Sequence, residues 1–397
     1  MTEAYSIGLR GAQLDVGALL DQAGRATGLS DFGDEWFLRP LGHIVKLVNE
    51  GGGLVSAQAW PVQLIVGYLG DRLRMIDYLR RRPEVRDEQL DVAGVIIGLP
   101  RGGSTLLQRL LGASPQLTST RIWEMRFPIP DAGEQPGDFS ARIARTQKII
   151  DDMYADWPDM RAIHPMAPTM LDEEILLIER SFLSLTYSHY FNIPDYDAWQ
   201  AAEDHGKAYE ELRLWLKILQ YNDPARRGRK WLLKSPHHLL GARLRPMLRA
   251  FPDARILMTH RTLESVIASY CSTQATSIRN YSTTFDESEG GPHVIGLFED
   301  SLRDMLRVRA EYPDRDFVDI QYADLIADPL AAFDLVMTRM GLSVTAADRA
   351  AAASWMAANG RDTHPRHKYL PEDYGISRAD LDRSFGFYKD SFLSRQV

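Results

Sequence analysis

The sequence predicts an α/β protein: a parallel sheet flanked by helices, with an N-terminal helical region and a helical insertion. Three observations predict it. Short apolar, β-branched runs alternate with helical patterns between residues 92 and 320. That alternation marks a parallel sheet covered on both faces. The first run leads straight into a glycine-rich turn and then a helix pattern. Before residue 90 the periodicity is helical throughout.

Composition sets the outer limits. The chain has 397 residues, enough for a large core without staples. A formal net charge of −8 argues against a protein that wraps nucleic acid phosphates. Any anion site must be a local cluster on an acidic background. The single cysteine, Cys271, excludes a disulfide framework and a thiolate metal site. No secretory signal and no membrane span is expected, so a cytoplasmic location is. Of 46 basic residues only 8 are lysine, which makes a lysine inside an apolar run notable.

Taken in order, residues 1–90 form the N-terminal helical region. Apolar positions recur at three and four in Leu14, Leu19 and Leu20, in Phe37, Leu41, Ile44, Val45 and Val48, and in Leu64, Ile65, Tyr68, Leu69 and Leu73. Arg72, Arg74, Arg80, Arg81 and Arg82 follow as a solvated basic face, closed by Pro83. Residues 91–397 form the α/β domain. Its strands are read at 92–97, 231–234, 255–259 and 317–320, with helices at 238–251, 262–273 and 294–311. The insertion covers about 131–226. Within it, Thr169 and Asp172 have capping-box spacing before a helical face of Leu171, Ile175, Ile178, Phe182 and Leu185. A second helix is expected at 204–221. The polar stretch 277–292 reads as a lid or a loose loop. A last helix ends at Met340-Gly341.

The turn Gly98-Leu99-Pro100-Arg101-Gly102-Gly103-Ser104-Thr105 makes the sheet P-loop-like. Gly102 and Gly103 let the backbone approach an anion, and Ser104 and Thr105 add hydroxyls at a helix N-terminus. The motif is not a Walker A, because no lysine separates Gly103 from Ser104. A magnesium nucleoside triphosphate would lack its usual lysine here. Arg101 is the only cation in the loop.

The loop, continuing through Leu106 and Leu107, resembles the 5′-phosphosulfate loop of sulfotransferases that use 3′-phosphoadenosine 5′-phosphosulfate (PAPS). Further blocks extend the resemblance: Trp231 to Leu239 with Lys234, Phe251 to Ser269 with Arg261, and Tyr322 to Leu325 with Asp328-Pro329-Leu330. The ordered set resembles the large bacterial-type branch that carries an extra N-terminal helical region. It implies transfer of a sulfuryl group from PAPS to a hydroxyl of a small acceptor, leaving adenosine 3′,5′-bisphosphate, without a metal. Two alternatives are a P-loop-like phosphotransferase and a non-catalytic nucleotide-binding protein.

The resemblance also implies site residues. Arg101, Gly102, Gly103, Ser104, Thr105 and Leu106 hold the 5′ side of the donor. Arg261 and Ser269 clamp the 3′-phosphate. Tyr322 meets adenine, or else packs. A C-terminal segment at about 361–397, with Arg366 and Lys368, closes over the 3′-phosphate. Lys234 ends an apolar strand, where a lysine is costly unless it meets an anion; its role is contact with the transferring group. Two residues compete as general base. Glu124 lies near Trp123 soon after the loop helix, and His237 follows Lys234. His164 is structural or lines the substrate. A helical insertion rich in Leu, Ile, Met, Phe and Tyr favours a lipophilic or phenolic acceptor. A homodimer is the assembly left open.

Overall fold

The structure, a computed structural model, describes residues 13–51, 59–158, 160–163, 165–281, 287–359 and 370–393. It opens with three helices, α1 (Val16–Thr27), α2 (Leu38–Glu50) and α3 (Ala59–Arg81). Asp15 caps α1 by accepting the Ala18 N–H at 2.8 Å, and Gly28 ends it in left-handed backbone. Leu19 and Ala23, Leu41 and Ile44, and Ile65 and Leu69 bury their faces together. They share that core with Phe182, Tyr187, Phe191 and Tyr196 of the insertion.

Arg72 does not lie on a solvated basic face. It is 2% exposed, 2.5 Å from Glu211 and donating to the Phe32 carbonyl at 2.9 Å. The Phe37 ring lies 4.2 Å from its guanidinium. A buried arginine with a carboxylate, carbonyls and a ring around it ties the N-terminal helices to the insertion.

The α/β part begins with β1 (Val92–Gly98), α4 (Ser104–Leu111), β2 (Leu117–Thr118) and α5 (Ile122–Arg126). The insertion carries α6 (Ser140–Asp156), α7 (Met160–Ile163), α8 (Ile175–Glu179), α9 (Thr186–Phe191), α10 (Asp195–Ala201) and α11 (Gly206–Asn222). Then come β3 (Lys230–Lys234), α12 (Leu244–Ala250), β4 (Arg255–His260), α13 (Leu263–Tyr281), α14 (Glu287–Glu311) and β5 (Phe317–Gln321). The chain continues through α15 (Tyr322–Ala327), α16 (Pro329–Arg339), α17 (Ala346–Ala358) and α18 (Arg378–Tyr388).

Every strand pair is parallel, in the order β2-β3-β1-β4-β5. All seven residues of β1 are buried, as a central strand covered on both faces requires. The chain leaves β1 toward β2 and β3 on one side, and β4 and β5 fill the other. β1 is therefore the topological switch point, where α/β sheets open a crevice beyond their C-terminal ends. No helix among the described residues is long and apolar enough to cross a membrane.

Four elements differ from the sequence reading. β2 is only two residues long, too short to show a period. Residues 171–185 do not form one helix: α8 spans five residues, and Phe182 follows with φ 61°. The acidic run before α8 is drawn instead toward Lys234 and His238. Residues 277–281 and 287–292 are helical, leaving only 282–286 outside the described residues. Buried Val294, Phe298, Leu302 and Met305 hold α14 on the core despite Pro292 within it. Gly341 does follow α16 with φ 76°, but α17 and α18 come after it.

Candidate active site

The ends of β1, β3, β4 and β5 bring the conspicuous residues to one edge of the sheet. The loop after β1 is tightly wound. Gly98 has φ 135°, Arg101 φ 65° and Gly103 φ 98°. The Gly102 N–H donates to the Leu99 carbonyl at 3.1 Å, so it closes the turn and is not offered to an anion. A Cβ on Gly103 would lie 2.5 Å from the Tyr322 ring, so glycine is required there. The first bond of α4 runs from the Leu107 N–H to the Gly103 carbonyl. The N–H groups of Ser104, Thr105 and Leu106 thus have no partner within the helix and point out of its positive end. Beside the loop, Thr259 Oγ1 is buried without a hydrogen-bond partner among the described residues. An orphaned hydroxyl and exposed helix N–H groups are features a phosphate or sulfate would satisfy.

Three strand ends and α13 complete this cradle. Arg101 Nε donates to Ser269 Oγ at 3.0 Å, and Arg261 Nη1 donates to the Arg101 carbonyl at 2.9 Å. The Arg261 guanidinium lies 4.3 Å above the Tyr322 ring. The Tyr322 ring thus packs between the loop and Arg261. Leu106, in the first turn of α4, is partly buried against the core. Arg366, Lys368 and His164 lie outside the described residues.

At the end of β3, Lys234 is fully buried and its Nζ lies 2.7 Å from Glu173 Oε1. The Glu173 side chain keeps 24% of its surface exposed. Its neighbours fix it. The Thr120 hydroxyl and the Gln108 amide both donate to the Asp172 carbonyl, at 2.7 and 3.1 Å. Glu174 is sealed in, accepting the Lys234 backbone N–H at 3.0 Å and pairing with His238 at 2.6 Å. Tyr209 holds the other His238 nitrogen at 2.7 Å. Glu173 and Glu174 therefore clamp the end of β3, and Glu173, whose second oxygen accepts from the Ser235 hydroxyl at 3.4 Å, is the one that keeps part of its side chain exposed. Sequence reasoning missed it. The available signal was an acidic triplet immediately before an apolar run, which needs buried cations to receive it.

His237 starts its turn under the Ser235 hydroxyl, which accepts its backbone N–H at 3.2 Å. Burial, followed by the nearby Arg243 cation, pushes the imidazole well below its usual range. His189, which accepts from the Gln274 amide at 2.6 Å, is likewise pushed down by burial. Both shifts favour the neutral imidazole.

Glu124 is placed differently from expectation. It is 1% exposed and forms a capping box, accepting the Arg121 N–H at 2.8 Å. Arg121 Nη1 lies 3.1 Å away, and Arg226 pairs with the same oxygen. Asp223 joins both arginines. Two guanidinium groups and a backbone N–H occupy this carboxylate, so it has no open side from which to take a proton. A cleft of about 970 Å³, lined by Tyr78, Arg226 and Lys230 among others, opens near this cluster at the starts of the strands, not at the loop.

Comparison with known proteins gives a consistent picture. Residues 95–346, more than half of the chain, match the profile of the sulfotransferase family. No curated protein is significantly similar to the sequence. Among solved structures, sulfotransferase STF1 from Mycobacterium tuberculosis H37Rv aligns with a TM-score of 0.82 at 27% identity, covering 94% of this chain and 99% of that one. Sulfotransferase STF9 from Mycobacterium avium aligns with a TM-score of 0.85 at 23% identity, covering 96% and 97%. The strand–loop–helix cradle and the basic residues around it lie within the matched residues, and the chain belongs to the sulfotransferase family.

Proposed function

We propose that the chain transfers a sulfuryl group from PAPS to a hydroxyl of a small lipophilic or phenolic acceptor. The observation that carries this reading is the convergence of Arg101, Arg261, Ser269 and Tyr322 around a loop with no Walker lysine. Such a site offers fixed cations to a nucleotide that carries phosphate on both its 3′ and 5′ sides. The helix N-terminus and Arg101 take the 5′-phosphate, and Arg261 and Ser269 take the 3′-phosphate. Tyr322 supplies the adenine platform.

Sulfuryl transfer asks for alignment and for neutralisation of the leaving oxygen. Lys234 supplies a buried cation at the bridging oxygen between phosphorus and sulfur. The acceptor oxygen forms a bond to sulfur as that bridging bond breaks, and its proton passes to a base. We assign the base to Glu173, whose side chain stays 24% exposed and is held beside Lys234. His237, neutral and next in line, orients the acceptor. The apolar composition of the insertion, which also carries Glu173, favours a lipophilic or phenolic acceptor.

Calorimetry tests the donor. Adenosine 3′,5′-bisphosphate should bind well above ATP, with or without EDTA. Tighter binding of ATP that EDTA abolishes would favour a phosphotransferase and end this reading.

A further inference from the structure

The Arg261 and Tyr322 pair is built on a second layer one residue back along each strand. His260 and Gln321 are register partners at the ends of β4 and β5. His260 is fully buried. Its Nε2 lies 2.8 Å from Asp319 Oδ1 and its Nδ1 lies 2.7 Å from the Tyr388 hydroxyl. Arg309 grips Asp319 with both terminal nitrogens, each at 2.8 Å. Burial alone would raise the Asp319 carboxyl, but hydrogen bonds from Arg309 and His260 outweigh it and hold it at about 2.

The C-terminal residues complete this layer. Phe392 stacks on the His260 ring with centroids 4.6 Å apart. Gln321 Nε2 donates to the Phe392 carbonyl at 2.9 Å. Lys389 donates to Glu264, in the first turn of α13, at 3.0 Å. One stretch of chain, residues 388–392, thus holds the end of β4, the end of β5 and the start of α13. Arg261 leaves from the first, Tyr322 from the second, and Ser269 lies on the third. None of these anchoring side chains belongs to the cradle itself.

We infer that Tyr388, His260, Asp319 and Arg309 form a positioning chain through which the C-terminal helix sets the donor-binding geometry of Arg261. It rests on the donor reading above. Alternating side chains along a strand explain the division of labour: His260 faces the C-terminal helix and Arg261 faces the loop. With Tyr388 bound, the last residue of β4 has one side-chain orientation. Arg261 is then pre-organised over Tyr322 before a nucleotide arrives.

The test is a cycle of full-length variants titrated with adenosine 3′,5′-bisphosphate. Tyr388→Phe removes one hydroxyl and keeps the ring. It should weaken binding by about three- to tenfold, the worth of one buried hydrogen bond. Turnover at saturating donor should stay within about twofold, since nothing in the chain touches the reacting atoms. In an Arg261→Ala background the same change should cost less than about twofold, because the two residues act as a unit. A purely structural tyrosine would cost the same in both backgrounds, and that result overturns the inference. So does wild-type affinity in Tyr388→Phe. If Tyr388→Phe does not fold, Arg309→Met, at a partly exposed position, carries the same cycle and the same criteria. An Arg261→Ala variant that binds the nucleotide as tightly as wild type sinks the donor reading, and this inference with it.

Discussion

Two glutamates forty-nine residues apart in sequence, Glu124 and Glu173, differ in how they meet their cations. Glu124 faces Arg226 and Arg121 in a cluster where both side chains of the closest pair are 1% exposed. Glu173 faces Lys234, equally buried, but keeps a quarter of its own side chain open to solvent. Glu124 caps α5, and its oxygens are filled by donors with nowhere to move. Glu173 sits on an irregular segment pinned from α4, at the sheet edge where the loop opens. A buried ion pair whose carboxylate is enclosed by donors holds a fold together; a partly exposed carboxylate beside a buried lysine can exchange a proton.

The largest way to break this comparison is to neutralise each glutamate in turn. Glu173→Gln should lower turnover by about 10²–10⁴-fold with donor affinity retained, the usual contribution of a general base. Steady-state kinetics on a single alcohol would show it. The loss should shrink for phenols acidic enough to ionise unaided.

The next effect is on the donor. Arg261→Ala should weaken adenosine 3′,5′-bisphosphate by roughly tenfold or more, the worth of a charge-assisted contact. Calorimetry reads this directly, and unchanged affinity would remove Arg261 from the site.

Glu124→Gln should act on stability. It takes the charge from one partner of a buried arginine, a loss of about 1.5–3 kcal/mol, visible as a lower Tm. Turnover per folded molecule should remain within a few-fold of wild type. If the folded variant were inactive and Glu173→Gln active, the two glutamates would have to exchange roles.

The smallest effect is on pH. A hydrogen bond donated to the Asp197 carboxylate, 3.0 Å away, raises the His293 imidazole above its ordinary value. A raised folded-state value favours the protonated form in the native protein. Its stabilisation is therefore complete below the unfolded value of about 6.5 and lost as pH rises through the folded one. The Tm gap between wild type and His293→Ala should be widest in mild acid and narrow above neutrality. A gap that widens with pH would contradict the pairing.

Much of the architecture was legible because its signals are local. Val92 to Ile97, Trp231 to Lys234 and Arg255 to Thr259 are apolar runs that only a covered strand accommodates. The loop and the residues at those strand ends followed from the same positions. Glu173 was not legible, because its meaning depends on Lys234 sixty-one residues later. Thr169 and Asp172 imitate a capping box, and the acidic triplet then reads as the first turn of a helix. Long-range pairing overrode that local signal. For Glu124 the distant partner is again what the local signal lacks: its position after the loop helix suggested chemistry, while Arg226, 102 residues on, encloses it. The helical character of 287–292 was hidden by Gly290, Gly291 and Pro292, which packing against the core overrides.

The most direct measurement of the central claim uses PAPS labelled in its sulfuryl group. Wild type, Glu173→Gln and Glu124→Gln would each be incubated with it and with a panel of phenols, lipophilic alcohols and sugars. The account predicts a labelled phenol or lipophilic alcohol sulfate with wild type and with Glu124→Gln. It predicts a strongly reduced yield with Glu173→Gln, smallest for the least acidic acceptors. No labelled product on any acceptor, or full yield from Glu173→Gln, would contradict it.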